Sequence, residues 1–546
     1  MKINKDVTLS EDALAVLKER YLLKDDCGNT IETPQELFQR VARAVGEAEL
    51  QFTTEQRRDD REAKFFQMLT NLEFLPNSPT LMNAGTSIGQ LSACFVLPVT
   101  DSLEAVFEAL KNMAIIHKTG GGTGFDFSSL RPAGDIISTT KGLASGPVSF
   151  MSIFNKATDV VIQGGKRRGA NMGILRYDHP DVFEFVNAKL KESEFSNFNL
   201  SVAVTDRFFD AVQRDDSFDL INPRTQKKVK AIKARDLFDR IVHAAWQCGD
   251  PGLIFIDEIN LYNPTPDLGE IRATNPCAEV LLLPYESCIL GSINVSRMIK
   301  NKVIDWSKLK KTIYLSVRFL DNVIEINKYP LARIEEITNK NRKIGLGVMG
   351  FADFLIKLGI SYNEKKAEKL AQKLMRFIRL HSINASIELA RERGAFPNIH
   401  YSIYKKQFQP RRNATLNAIA PTGTISVIAG CSSSIDPIFS INCPRNTLKG
   451  ELFVTAFDIP PRQHVLIQAA FQKYTDNAVS KTVNLPSNAD EEDVRDIFLL
   501  AHTLKCKGIT VYRYGSKKNQ PLTCGCDGKP FENLHTSAKG DFRGFI

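Results

Sequence analysis

No stretch of this 546-residue sequence reaches the roughly 18 uninterrupted apolar residues of a membrane-spanning helix. The most apolar segment, Val280 to Ile293, is broken by Pro284 and Glu286. The opening Met1-Lys2-Ile3-Asn4-Lys5-Asp6 has no apolar core to serve as a secretory signal. There is no basic arm either. The net charge of +9 comes from 71 basic and 62 acidic residues, with its densest clusters at Lys166-Arg167-Arg168, Lys227-Lys228 and Arg411-Arg412. That is enough to attract an anionic ligand but too little for a nucleic-acid coat. No Cys-x-x-Cys pair recurs and no His sits at finger spacing, which leaves a structural zinc site with little support. A Walker A fingerprint is missing, as are internal repeats and a Pro/Ser-rich linker. With 43% hydrophobic and 24% charged residues, the expectation is a soluble cytoplasmic chain with no membrane or nucleic-acid partner.

What is present falls into three regions. Residues 1–75 read as helical. Ser10 precedes an apolar stripe at Leu14, Leu17 and Tyr21; Thr33-Pro34-Gln35-Glu36 reads as a capping box ahead of Leu37, Val41 and Val45; a third helix is expected from Glu62 to Leu72. Over residues 76–515, short apolar runs alternate with helices. Strands are expected at Leu200–Val204, Leu253–Ile256, Val280–Leu283, Ile344–Val348, Ile425–Ala429 and Ile509–Tyr512. Helices are expected at Asp101–His117, Leu237–Gln247 and Ala367–Arg393. This alternation predicts one large α/β domain with mostly parallel strands. Residues 516–546 are polar and Gly-rich, a composition that cannot bury a core.

Chemistry concentrates around the ten cysteines. Asn275-Pro276-Cys277-Ala278-Glu279, with Cys288 eleven residues beyond Cys277, puts an amide, a thiol and a carboxylate in one stiffened loop. A carboxylate can take a proton, an amide can orient hydroxyls, and sulfur can do nucleophilic or radical work; an ordinary loop with a buried Cys is the plainer alternative. No adjacent His is available to activate a thiolate as in a protease. Three further segments are notable: Asn77-Ser78-Pro79 through Gly85 followed by Cys94, Gly120-Gly121-Gly122-Thr123-Gly124, and Ala420-Pro421-Thr422-Gly423-Thr424-Ile425-Ser426. Small-residue loops of this kind let backbone N–H groups approach phosphate oxygens, although each could also be turn chemistry alone.

Together these segments, with Arg342 to Phe351 and Cys506 to Arg513, resemble the catalytic chain of ribonucleotide reductase, specifically the adenosylcobalamin-dependent class, from about residue 8 to Lys517. The resemblance implies a ten-stranded α/β barrel of two antiparallel five-stranded parallel halves, with a finger loop carrying Cys277 to its centre. It implies that Cys277 becomes a thiyl radical, that Glu279 is the base on the 3′-hydroxyl, and that Asn275 hydrogen-bonds the sugar. Cys94 and Cys288 would supply two electrons and end as a disulfide, which requires Cα atoms within roughly 4.4–6.8 Å. Ser78, Ala93, Gly122 and Pro421 to Ser426 (Thr422, Gly423, Thr424 and Ile425 between them) would hold the ribonucleotide. Cys524 and Cys526 would carry reducing equivalents from a thioredoxin- or glutaredoxin-type protein, unless they are an incidental surface pair; their single-residue spacing is shorter than the family's usual one.

Regulation and radical source follow from the same resemblance. Asp101, Ser102, Leu103 and Arg131 match residues that contact a deoxynucleoside triphosphate effector, with which Mg2+ can bind, at the interface of a homodimer. Asp101-Ser102-Leu103-Glu104 also reads as a capping box. Gln163 to Asn171, containing Lys166, matches the segment that relays effector identity to substrate choice, a solvated basic turn being the alternative. The match begins almost at Met1, so no separate activity-switching domain is expected. Gly540 to Ile546 lacks a glycyl-radical motif, and Tyr512-Arg513-Tyr514 lacks the adjacent tyrosines of a radical relay. Adenosylcobalamin is therefore the implied radical source, bound without a protein His ligand because no Asp-x-His-x-x-Gly segment occurs. The alternatives are a catalytic subunit served by a separate metal-radical protein, and a nucleotide sensor that has lost turnover. No resident protein-bound metal is expected.

Overall fold

A computed structural model describes residues 7–137, 141–163, 167–191, 194–438 and 454–516 of the chain. The N-terminal region forms helices α1 (Glu11–Arg20), α2 (Pro34–Glu47) and α3 (Glu55–Thr70). Ser10 caps α1 by accepting from the Ala13 N–H. The Thr33 hydroxyl accepts from Glu36 N at 3.2 Å while the Glu36 carboxylate accepts from Thr33 N at 2.8 Å, completing the expected capping box. Helix α3 starts well before the expected Glu62, because its polar opening turns bury no apolar stripe that a sequence could display.

Five strands pair in parallel in chain order: β1 (Cys94–Val96), β2 (Gly122–Asp126), β3 (Asn171–Arg176), β4 (Phe198–Val204) and β5 (Gly252–Phe255). A second set contains β6 (Ser287–Asn294) parallel to β7 (Ile344–Met349), and β8 (Thr482–Leu485) parallel to β9 (Gly508–Arg513). The sets meet antiparallel at β1–β6 and at β5–β9, and the short strand Phe74–Pro76 also joins β6, giving a sheet of ten strands. Extended segments at 415–419 and 477–480 lie between β7 and β8: Leu346 bridges Asn417 and Ile419 bridges Val479, both in parallel. Leu346 N donates to Leu416 O at 2.8 Å and Ser480 N to Ile419 O at 2.9 Å. Segment 477–480 then runs directly into β8, so the hydrogen-bond path returns to its start. The architecture is the expected α/β barrel of two parallel halves.

The barrel divides the apolar residues by strand period. Cys94 and Val96, Met172 and Ile174, Ala203, and Cys288 and Leu290 face one interior cluster. The alternating residues face outer helices: α4 (Leu103–Lys118) and α5 (Gly146–Val160) over the first half, and α6 (Trp306–Ile326) and α7 (Lys365–Arg393) with the N-terminal helices over the second. Buried charges join the N-terminal region to the barrel. Arg393 donates to Glu49 at 2.8 Å and to Asp321 at 3.1 Å, and Arg342 donates to Asp321 at 2.8 Å. Burial alone would raise the Asp321 pKa, but the guanidiniums of Arg342, Arg412 and Arg393 overcome it and hold the carboxyl at about 2.

Two strand expectations are corrected. Ile425–Ala429 lies inside a helix, α8 (Gly423–Ala429), because a five-residue buried apolar run fits either element and its flanks decide. Thr422 (φ 56°) and Gly430 (φ 63°) adopt left-handed conformations that bracket one short helical segment. Of Val280–Leu283, Leu281–Leu282 alone is strand, and it pairs antiparallel with Ala273–Thr274 as a hairpin stem.

Candidate active site

That stem lifts a loop, residues 275–280, into the barrel. The Asn275 side-chain oxygen accepts from Val280 N at 2.9 Å, Asn275 O accepts from Ala278 N at 3.0 Å, and Ala278 takes a left-handed φ of 60° to close the bend. Neighbours on several sides hold it. The Asn199 amide donates to Pro276 O at 2.8 Å, Ala478 N donates to Glu279 O at 2.9 Å, and the Lys343 ammonium donates to Leu281 O at 3.2 Å. The loop fits only because β2 is glycine-rich where it passes. A Cβ on Gly124 would stand 1.7 Å from Thr274 O, and one on Gly122 would stand 2.9 Å from the Pro276 ring.

Beneath the loop tip, Cys94 on β1 and Cys288 on β6 are direct cross-strand partners at the antiparallel junction. Facing residues there have Cα atoms about 4.5–5.5 Å apart with side chains on one face, within reach of a disulfide. The Asn275 amide donates to Cys94 Sγ at 3.1 Å, and the Cys94 thiol lies 4.0 Å from Glu279 Oε1. Asn275, Glu279, Cys94 and Cys288 are buried, whereas Cys277 is half-exposed. The three sulfurs, the carboxylate and the amide therefore occupy one place, with Cys277 the sulfur open to solvent.

Electrostatics keep the buried pair protonated. Burial, reinforced by Glu279 and the neighbouring sulfurs, pushes the Cys94 thiol far above its usual range. Burial also raises Cys288 well above it, with Lys343 opposing. Two neutral thiols side by side can give up two hydrogen atoms' worth of electrons and protons and close as a disulfide.

Of the remaining sequence candidates, Ala93, Gly122, Pro421, Gly423 and Thr424 are part-exposed, as is Ser78 at the start of a short helix, Ser78–Asn83. Thr422 and Ser426 are committed to the local turn: the Thr422 hydroxyl accepts from Ser434 N at 2.7 Å and the Ser426 hydroxyl donates to Gly423 O at 3.0 Å, with Ile425 buried between them. At the outer end of α4, Ser102 caps the helix through Ala105 N at 3.1 Å, so the capping box expected with Glu104 is not formed. Asp101 instead pairs with Arg131 at 2.9 Å, and Leu103 is exposed. Lys166, Cys524 and Cys526 lie outside the described residues.

Sequence reasoning missed three contributors. Asn199 shares the interior face of β4 with Ser201 and Ala203, and two polar residues spaced by two among apolar ones were the available signal. Tyr21 crosses from the N-terminal region to place its hydroxyl 2.7 Å from that of Ser78, and Lys343 forms a buried ion pair with Glu286 at 2.6 Å. Tyr21 and Lys343 carried no local signal, because their partners are remote in the chain.

Comparison with known proteins agrees with this geometry. The ribonucleotide reductase barrel domain matches residues 92–411, 407–454 and 450–512, and the ribonucleotide reductase all-alpha domain matches residues 8–89. The chain belongs to the ribonucleotide reductase family. It is 47% identical to a vitamin B12-dependent ribonucleoside-diphosphate reductase of Thermoplasma acidophilum, over 96% of this chain and 81% of the relative. A Mycobacterium tuberculosis (strain CDC 1551 / Oshkosh) protein of the same description is 46% identical over 95% of this chain and 82% of its own length. A ribonucleoside-diphosphate reductase subunit alpha of Chlamydia muridarum is more distant, at 28% over 98% of this chain and 58% of its own length. In family terms, the hairpin carrying Cys277 is the finger loop at the centre of the ribonucleotide reductase barrel.

Proposed function

We propose that the chain is a vitamin B12-dependent ribonucleoside-diphosphate reductase, converting ribonucleotides to the 2′-deoxyribonucleotides from which DNA is made. The observation that carries this reading is the Cys94–Cys288 cross-strand pair directly beneath a loop presenting Cys277, with Glu279 and Asn275 between them. The relatives at 46–47% identity carry the B12-dependent description, and those described as subunit alpha stand at 27–30%. That favours this reading over one requiring a separate metal-radical subunit, and a sensor without turnover would not need the intact thiol set.

The residues fit adenosylcobalamin as the radical source. Cys277 is the one of the three sulfurs open to solvent, so a radical generated outside the protein interior can reach it while Cys94 and Cys288 stay shielded. When bound, the cofactor supplies a carbon radical by homolysis of its cobalt–carbon bond. Cys277, as a thiyl, takes the 3′-hydrogen from the ribose, and Glu279 takes the proton of the 3′-hydroxyl. The 2′-hydroxyl leaves as water with a proton from one thiol of the pair, and C2′ takes its new hydrogen from the other. Cys94 and Cys288 thereby supply two electrons and become a disulfide, Glu279 returns its proton to the 3′-oxygen, and Cys277 returns its hydrogen to C3′. Asn275 holds the sugar and, through Val280 N, the shape of the loop. Ser78, Ala93, Gly122 and the 421–426 segment take the substrate phosphates and sugar.

The surface of the first half supports a homodimer with an effector site. Helices α4 and α5 expose Leu103, Phe107, Ile115, Ile153 and Val160, a set of apolar side chains that a second copy would cover. A deoxynucleoside triphosphate, with Mg2+, would bind at its edge through Asp101, Ser102, Leu103 and Arg131, with Lys166 in the segment relaying its identity. The tail cysteines, Cys524 and Cys526, would pass electrons from a thioredoxin- or glutaredoxin-type protein to the Cys94–Cys288 disulfide. The functional division is 1–75, 76–515 and 516–546. The test is purified chain with adenosylcobalamin, a small dithiol and a ribonucleoside diphosphate. Deoxynucleotide formed without a second protein supports the proposal; formation only with an iron or manganese partner overturns it.

A further inference from the structure

A file of buried hydrogen bonds crosses the first half of the barrel and has no part in the chemistry above. His117, near the end of α4, lies with its Nε2 3.0 Å from the Thr123 hydroxyl on β2. Thr123 donates to the Asn171 side-chain oxygen on β3 at 2.6 Å, and the Asn171 amide donates to the Thr158 hydroxyl on α5 at 2.9 Å. Thr158 donates to Phe154 O at 2.8 Å. All four side chains are essentially inaccessible to water. Each hydroxyl has one proton, so the file has a direction, and it fixes the tautomer: His117 Nε2 carries the proton and Nδ1 is a bare acceptor. Burial agrees, lowering the imidazole pKa to about 4 and keeping the ring neutral.

Its placement gives the file a use. Helix α4 is capped at its start by Ser102, next to Asp101, the proposed effector contacts, and His117 lies near its other end. Thr123 sits between Gly122 and Gly124, the two glycines against which the finger loop packs. A Cβ on Gly169, at the end of the proposed relay segment, would come within 2.5 Å of His117 Nδ1. One imidazole thus touches the effector helix's own end, the strand that seats the finger loop and the segment that would read the effector. Buried polar groups cost stability unless all are satisfied, and such networks specify one register between packed elements.

We infer that His117 is a specificity-positioning residue: through Thr123 it ties the position of α4 to that of Gly122 and the finger loop, so that effector occupancy alters which base is accepted. This rests on the effector reading above. The chain link from α4 to β2 is only Thr119 to Gly121, and the His117–Thr123 bond ties the end of the helix to the strand beside that link, so a shift of α4 is passed on to Gly122.

The test measures kcat/KM for two ribonucleoside diphosphates, each with and without a deoxynucleoside triphosphate, alongside equilibrium binding of that triphosphate. It uses the full chain and the variants His117→Leu and His117→Gln. Effectors in coupled systems typically change affinity about 5–150-fold. His117→Leu is expected to bind the triphosphate and turn over without it much as the parent does, while its effector-driven change in base preference collapses toward none. His117→Gln restores the donor to Thr123 and should restore part of the change. Thr158→Val, which breaks the far end of the file at constant volume, should weaken coupling in the same sense and serves if the leucine variant does not fold. A full preference change in variants that fold overturns the inference. No preference change in the parent chain overturns the effector reading beneath it.

Discussion

The carbonyl oxygen of Thr274 occupies the space that a side chain on residue 124 would need, 1.7 Å from the nearest position of a Cβ. The finger loop and β2 are thus in backbone contact, and the position of Cys277 is set by an atom that residue 124 lacks. Gly124→Ala should leave a folded barrel with a displaced finger loop. Overpacking of this kind costs typically about 1–3 kcal/mol. The expected result is a modest fall in the urea midpoint with near-complete loss of deoxynucleotide formation.

Glu279 separates binding from chemistry. Its carboxylate is buried 4.0 Å from the Cys94 thiol, on the loop that carries Cys277. Glu279→Gln keeps shape and removes the base. Positioned acid–base groups contribute about 10²–10⁴-fold, so kcat should fall in that range while substrate affinity by equilibrium binding changes little. An equal loss of binding would assign Glu279 to holding the substrate instead.

The buried charge cluster predicts acid sensitivity. The guanidiniums of Arg342, Arg412 and Arg393 hold the Asp321 carboxyl at about 2 in the fold, below its ordinary 3.8. A carboxyl with a depressed folded pKa adds stability that is complete above its unfolded pKa and is lost as pH falls through the folded one. Stability should therefore drop between about pH 4 and 2. Asp321→Asn should flatten that limb and leave the guanidiniums of Arg342, Arg393 and Arg412 uncompensated, at a cost of about 3–5 kcal/mol. Urea melts across pH measure both.

The exposed apolar face on α4 and α5 predicts association. Phe107→Glu with Val160→Glu should yield a monomer by sedimentation at concentrations where the parent is a dimer. Effector-dependent base preference should go with it, while effector-free turnover persists. A parent chain that is monomeric at all concentrations contradicts the dimer.

The sequence was legible where information is local. The capping box at Thr33 and Glu36, the strands around Leu253 and Ile344, and the chemistry-bearing Asn275 to Glu279 all announce themselves within a few residues. The resemblance supplied the barrel and the partnership of Cys94 with Cys288, which no spacing rule could give for residues so far apart. Other features were hidden for physical reasons. Ile425–Ala429 is short and apolar enough for either element, so the left-handed Thr422 and Gly430 decided it. Tyr21, Lys343 and His117 work through partners brought near only by folding, and a single buried polar residue looks the same in sequence whether it is idle or engaged.

One turnover without an external reductant tests the central claim most directly. Pre-reduced chain carrying Cys524→Ser and Cys526→Ser, so that no tail thiol can re-reduce the pair, mixed with adenosylcobalamin and a ribonucleoside diphosphate and then alkylated and digested, should show the peptides of Cys94 and Cys288 joined by a disulfide in proportion to the deoxynucleotide formed, and neither product when Cys277→Ser is added. Deoxynucleotide formed while Cys94 and Cys288 both remain as free thiols would contradict it.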